Sequence, residues 1–357
     1  MSLFYVTLLV LTTLIWGVVF YKKDYHPQPV KIMLQSFGVG LFSMIPVFAY
    51  KYAYQHLLPQ LSDVRIFRPL LDSPLWSGVF VFALNLVALS LLLFLLSGLL
   101  SLILNVFSHA ALANLKNAIA QEPLGFTAVS LMVGVAVFLQ NWIQRVWDSP
   151  LLATVLSSIL FLAIIEEYVK HLIVRVTDDK RIKDIDDAIT LSIMVGLAFA
   201  FTETIVYGIV AGNMKIVFFR TMVSLPVHVV ASGIFGYYYG LAHFAKPMVA
   251  MNGGEKTYHG QLGGLASHGR AKRVEWLHRL MTFKKSSVVS EERIIQGFLF
   301  ATLFHALANV LFELSLGILA VPMIVFGVWI LLQLYGASKK EAQLMARWRN
   351  KKILLKA

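Results

Sequence analysis

The sequence contains no cysteine in 357 residues, which excludes a disulfide framework, a thiolate metal site and a cysteine nucleophile. Charge is scarce as well: 14% of the residues are Asp, Glu, Lys or Arg, against about 25% in ordinary soluble domains. With 58% hydrophobic residues and a mean hydropathy of +0.73, a soluble globular chain is excluded. Several catalytic signatures are missing too. There is no HExxH, no GxGD of the presenilin-type aspartyl proteases and no rhomboid-like serine motif. No internal repeat marks a two-halved transporter. The net charge of +12 points to basic loops beside membrane spans, with anionic lipid rather than nucleic acid as the partner.

What remains is apolar sequence in long runs. Nine segments are long enough to cross a bilayer: 3–20, 32–50, 76–106, 124–143, 150–174, 188–211, 214–245, 294–312 and 316–335. The expected fold is an all-α polytopic transmembrane helical bundle of about nine spans. Alternating sides gather 24 of the 31 Lys and Arg residues on one side and 5 on the other. That asymmetry predicts an outside N-terminus and a cytoplasmic C-terminus. The expected organisation is four N-terminal spans in 1–149, a core in 150–335 with a cytoplasmic loop at 246–293, and a basic cytoplasmic tail at 336–357. Within that loop, Val274, Leu277 and Met281 share a helical face flanked by arginines and a lysine. A basic helix lying on the lipid surface and a solvated loop both account for that pattern. His259, His268 and His278 read as solvated.

One span is unlike the rest. Pro150–Val174 is apolar enough to insert, yet it carries Glu166, Glu167, Lys170 and His171 within two turns. A charge at the bilayer centre costs about 2.5–3.5 kcal/mol on insertion scales, so such groups face a bundle interior or a water-filled cavity and have partners there. The later spans supply candidates: Glu203, His228 and His305, one in each of three apolar segments. Convergence on one site satisfies them together more readily than four separate solutions. Within the helix, Glu166 with Lys170 and Glu167 with His171 stand at i,i+4 and are candidate ion pairs. Arg220 either pairs with Glu203 or snorkels outward; the spacing slightly favours snorkelling. Ser232, Gly236 and Gly240 form a small-xxx-small row, a helix-packing signature.

A carboxylate held beside histidines suits a general base acting on water, with imidazoles polarising a carbonyl. The same residues suit a divalent metal such as zinc, with Glu167, Glu203, His228 and His305 as candidate ligands. They also suit a proton relay in a transporter or channel. An inactive scaffold binding membrane partners is a further class. Spacing alone leaves these open.

The motifs narrow the choice. EEYVK (Glu166, Glu167, Lys170) resembles the EExxK motif of the PrsW family of intramembrane proteases. FAFTE (Phe199–Glu203) is similar to that family's FxxxE. His228 stands where its third motif has a lone histidine, and HALAN gives His305 and Asn309 the spacing of its HxxxN. The resemblance spans about residues 150–312. It implies kinship with the CAAX prenyl endopeptidases and the bacteriocin-processing membrane proteases. It implies catalytic roles for Glu166, Glu167, Glu203, His228, His305 and Asn309: Glu166 as base assisted by His228, and His305 with Asn309 meeting the oxyanion. Lys170 is implied as structural support. Glu203 replaces a histidine of the prenyl endopeptidases, which leaves it as base partner or metal ligand. The implied substrate is a membrane-anchored protein, in PrsW relatives an anti-sigma factor. The implied setting is a prokaryotic cytoplasmic membrane.

Overall fold

The computed structural model describes residues 3–52, 127, 129–132, 135, 162–251, 285–314 and 316–354. Among these residues the regular structure is entirely helical. This follows from the solvent: hydrocarbon offers the backbone no hydrogen bonds, so each span must satisfy its own amides and carbonyls. The helices are α1 (Leu3–Tyr21), α2 (Val30–Leu41), α3 (Met44–Tyr52), α4 (Leu162–Asp178) and α5 (Ile185–Ala211). Then come α6 (Met214–Phe219), α7 (Leu225–His243), α8 (Ala245–Met251), α9 (Lys285–Glu313) and α10 (Gly317–Leu354). Among the described residues, five stretches are long and apolar enough to cross a membrane: α1, α5, α6 through α7, α9 and α10. The chain is an integral membrane protein.

The bundle is built around α5, which is buried without interruption from Ile185 to Ala200. Its most extensive packing is with α7, and α2 and α1 cover other faces. By contrast α1 and α10 leave broad apolar surfaces exposed, among them Leu11, Leu14, Ile15, Ile318, Val325 and Trp329, as lipid-facing helices do. Local chemistry sets both ends of α5. Asp184 caps its start by accepting from Asp187 N–H at 2.9 Å, and the Asp187 carboxylate returns to Asp184 N–H at 3.3 Å, a capping box. Gly212, at φ 58°, ends it in the left-handed conformation that glycine adopts without strain. Asn213 then caps α6 by accepting from Lys215 N–H at 3.0 Å, so the chain reverses in two residues.

The small-residue row on α7 packs as its spacing indicates. A Cβ built on Gly236 would stand 2.6 Å from the Ala188 carbonyl oxygen and 2.8 Å from Ile189 Cα, and Ser232 fills the space above Gly196. Backbone cannot yield as a flexible side chain can. Gly236→Val is therefore expected to lower stability by about 1–3 kcal/mol or more through overpacking. A melting curve of the detergent-purified protein checks this, and an unchanged midpoint would refute the close approach.

Two expected segments differ from what forms. The second span, expected as one helix over 32–50, breaks at Phe42–Ser43 into α2 and α3. Pro46 has no amide to give the Phe42 carbonyl. The hydroxyls of Ser43 and Thr202 donate instead to the carbonyls of Gly40 and Leu41, the latter at 3.0 Å. The tail expected after residue 335 is helical, because α10 continues unbroken to Leu354. Its course is held where Tyr335 and Thr190 hydroxyls meet at 2.9 Å and Ser338 donates to Asp186. The third and fourth spans lie almost wholly outside the described residues, as do residues 252–284 with the basic-helix pattern, His259, His268 and His278. The span count of nine and the sidedness of the termini rest on the sequence alone.

At the last residue of α4, beyond the expected 150–174 span, Asp178 is buried and accepts hydrogen bonds from Ser36 (2.9 Å), Thr177 (2.9 Å) and Arg181 (3.1 Å). Burial outweighs these and pushes its carboxyl from 3.8 up to about 6. The folded state thus keeps a proton that the unfolded chain has released. Its contribution is most favourable below pH ~4, falls as pH rises towards 6, and is flat above that. Melting midpoints from pH 4 to 7.5 should fall more steeply for wild type than for Asp178→Asn, by an amount on the order of 2–3 kcal/mol at most. Parallel curves would remove Asp178 as the titrating group.

Candidate active site

Four helices bring the intramembrane polar residues together. Helix α4 presents Glu166, Glu167 and Lys170, α5 presents Glu203, α7 presents His228, and α9 presents His305. All six are buried. The approach of α7 depends on a π-helical turn, Arg220–Ser224, between α6 and α7. Pro226 follows it, and a missing proline amide is a common cause of such irregular turns. The turn shifts the helical register just ahead of His228.

The contacts form a chain of donors and acceptors. Glu167 Oε1 takes Lys170 Nζ at 2.5 Å and His305 Nδ1 at 2.7 Å. Lys170 Nζ also reaches His228 Nδ1 at 3.1 Å, and His228 Nε2 lies 2.9 Å from Glu203 Oε2. Glu203 Oε2 is ion-paired with Arg220, whose guanidinium lies over the Tyr207 ring at 4.3 Å. An ammonium donates only, so His228 Nδ1 accepts from Lys170 and its Nε2–H donates to Glu203. A carboxylate accepts only, so His305 Nδ1–H donates to Glu167. In neutral His305 this leaves the Nε2 lone pair free. It points towards Glu166 Oε2 across 3.6 Å, beyond hydrogen-bond length.

Charge accounting isolates one group. Glu167 is balanced by Lys170 and Glu203 by Arg220. Glu166 is left over, 6% exposed, and its Oε2 has no hydrogen-bond partner. Two acceptors, Glu166 Oε2 and His305 Nε2, therefore face one another at the centre of the site. Two facing acceptors call for a proton, a water molecule or a cation to join them.

Glu166, His228 and His305 offer ligand atoms that all lie within 4.8 Å of one another. One carboxylate and two imidazoles form a donor set that zinc takes. The backing of His305 Nδ1 by Glu167 is the support that metal-bound histidines usually have. The open Glu166 Oε2 adds to the fit. His228 has both ring nitrogens engaged, so it would ligate only on releasing Lys170 or Glu203. Of the four residues expected as ligands, His228 and His305 are in this triad. Glu167 and Glu203 instead back the two histidines.

Other expectations resolve differently. On α4 Lys170 pairs with Glu167 at i,i+3, and His171 packs its ring against Phe235 and Tyr239 at 4.6 and 5.3 Å. Arg220 turns inward to Glu203 instead of snorkelling, because the π turn and Tyr207 hold it there. Its pairing with Glu203 was the less favoured of the two sequence readings, although three buried glutamates facing a single lysine were a signal for it. Asn309 lies one turn beyond His305, half-buried, with no hydrogen-bond partner among the described residues.

Residues 118–253 match the family model described as PrsW family intramembrane metalloprotease. Over that segment the chain is similar to the PrsW family. The matched segment includes EEYVK, FAFTE and His228, and ends before His305 and Asn309. Over 136 residues the chain is 32% identical to the protein named Protease PrsW of Geobacillus kaustophilus (strain HTA426), covering 37% of this chain and 60% of the relative. The chain thus spans about three-fifths of the length of that curated PrsW relative. No solved structure matches.

Proposed function

We propose that the protein is an intramembrane endopeptidase that hydrolyses a peptide bond of a membrane-anchored protein. The observation that carries this reading is the unpartnered Glu166 Oε2, buried and facing the free ring nitrogen of His305. The similarity to the PrsW family model and to the Geobacillus kaustophilus protein supports it from the side of sequence.

In this reading water sits between Glu166 Oε2 and His305 Nε2, both acceptors, with its remaining lone pair turned to the scissile carbonyl carbon. Glu166 takes a proton as the water oxygen bonds to that carbon. The carbonyl oxygen gathers charge and needs a donor, which the amide of Asn309 supplies. Glu166 then passes its proton to the leaving nitrogen as the C–N bond breaks, giving a carboxylic acid and an amine, and the acid proton then moves to the amine. Glu167 fixes the His305 ring through Nδ1–H, and Glu203 with Lys170 fixes His228. A divalent metal held by Glu166, His228 and His305 would add Lewis-acid polarisation of the carbonyl and acidify the bound water. Sequestering these groups among four helices limits access to a substrate that enters from the membrane. An anti-sigma-factor-like protein is one such substrate class.

The test compares N-termini of membrane proteins, by mass spectrometry, in cells making wild type or Glu166→Gln at equal abundance. New N-termini near a membrane boundary in wild type alone are the expected result. Identical N-termini across well-covered membrane proteins would overturn the reading. Proton flux by the purified protein, dependent on Glu166, would then favour the relay.

A further inference from the structure

A second polar cluster lies away from this site, where the chain leaves α1 and where α5 begins. Asp24, Asp184 and Asp187 bring carboxylate oxygens within 4.8 Å of one another. Hydrogen bonds account for only part of their capacity. Asp24 Oδ1 accepts from His26 N–H at 3.0 Å, and Asp184 Oδ1 from Asp187 N–H at 2.9 Å. Asp187 Oδ2 accepts from Lys183 N–H at 2.8 Å, Asp184 N–H at 3.3 Å and Gln28 Nε2 at 2.8 Å. Asp24 Oδ2 and Asp187 Oδ1 have no donor, although these residues are only 6% and 1% exposed.

Gln28 is an independent sign. It is 3% exposed, its Nε2 is occupied by the Arg181 carbonyl (3.1 Å) and Asp187, and its Oε1 is left without a partner beside the carboxylates. Among the described residues, one basic side chain is paired with any of the three carboxylates: His26, with Nδ1 3.6 Å from Asp184 Oδ2. The capping box explains the bonds inside the cluster. It does not explain three buried acceptor oxygens without donors, or three like charges gathered with so little compensation, which folds rarely leave unmatched.

We propose that Asp24, Asp184 and Asp187, with the Gln28 carbonyl oxygen, bind a hard divalent cation of the Mg²⁺ or Ca²⁺ class. The donors are all oxygen, with neither imidazole nor thiolate contributing, which separates this set chemically from Glu166–His228–His305 and favours hard ions. The cation ties the 24–28 segment to the first turn of α5. The neighbouring bonds from Ser338 to Asp186 and from Tyr335 to Thr190 hold α10 at the same place. It thereby clamps α1, α2 and α10 about the central helix.

The full chain, purified in detergent and stripped with EDTA, is melted at pH 7.5 with increasing Mg²⁺ or Ca²⁺. The expected midpoint rise at saturation is about 3–8 °C, in wild type and equally in Glu166→Gln, which alters the other site. In Asp24→Asn the rise disappears, while the cation-free midpoint increases because repulsion is relieved. Tb³⁺ luminescence, excited through the protein's aromatic side chains, gives a direct reading. Signal displaced by Ca²⁺ and weakened in Gln28→Leu, which keeps all three carboxylates, supports the site. The proposal is overturned by no rise with either ion, by an equal rise in Asp24→Asn, or by terbium binding unaffected in both variants. It is equally overturned if acidification to pH 5 stabilises the stripped protein while neither ion does so at pH 7.5, since shared protons then do the balancing.

Discussion

Glu166→Gln is expected to reduce cleavage by about 10²–10⁴-fold, the usual effect of losing a proton acceptor at the reacting water. The loss should appear in kcat with KM little changed, because the substituted group meets the water and not the bulk of the substrate. Stability should behave in the opposite sense. Glu166 Oε2 has no hydrogen-bond donor, and its charge is the one left over after Lys170 and Arg220 are matched to Glu167 and Glu203. Replacing it with a neutral isostere removes a burden, so the melting midpoint should hold or rise. Glu167→Gln makes the contrast. It breaks contacts at 2.5 Å to Lys170 and 2.7 Å to His305, so activity and stability should fall together. The assay uses a substrate found by the N-terminal comparison, with kinetics and melting measured on the same preparations. Glu166→Gln retaining cleavage within a few-fold would remove it as the base.

Lys170→Met is expected to be the most destabilising single change at the site. Lys170 and Glu167 expose only 4% and 1% of their side chains, and the lysine also donates to His228. Deleting one partner of such a pair leaves an uncompensated buried charge, at a cost of about 3–5 kcal/mol. The protein should therefore lose its cooperative melt or accumulate poorly in membranes. Adding Glu167→Gln to Lys170→Met should restore much of the stability, since a pair removed on both sides leaves no orphan charge. Activity should stay low in the double variant, because His305 no longer has a carboxylate at Nδ1. Arg220→Met should cost less, as 22% of the arginine side chain is exposed and water can reach its end of the pair. If Lys170→Met melts as wild type, the pairing described here is not what neutralises Glu167.

Much of this site was legible before any coordinates. Glu166, Glu167, Lys170, Glu203, His228 and His305 stand out because charge in an apolar span demands a reason, and one shared site is the economical one. The motif spacing pointed to the same residues. For Arg220 the sequence left pairing with Glu203 and snorkelling both open and leaned to snorkelling, because nothing in local sequence announces that a π turn will direct it to Glu203. The cation cluster escaped for another reason: Asp24 and Gln28 lie some 160 residues from Asp184 and Asp187, and each alone reads as an ordinary loop or cap residue.

The sequence by itself determined the solvent and hence the class of fold. Long uncharged runs must insert, inserted backbone must be helical, and the few ionisable groups inside must meet. It also determined where α5 starts and stops, since Asp184, Asp187 and Gly212 act within a turn of themselves. Only the tertiary structure decided which charges pair. On an isolated α4, Lys170 serves Glu166 at i,i+4 about as well as Glu167 at i,i+3. His305 arriving from α9 engages Glu167 through Nδ1, and Arg220 arriving from the π turn claims Glu203. These choices depend on how neighbouring helices are rotated about their axes, which no periodicity along one chain segment encodes. What they leave unmatched is Glu166, and on that remainder the proposed hydrolysis rests.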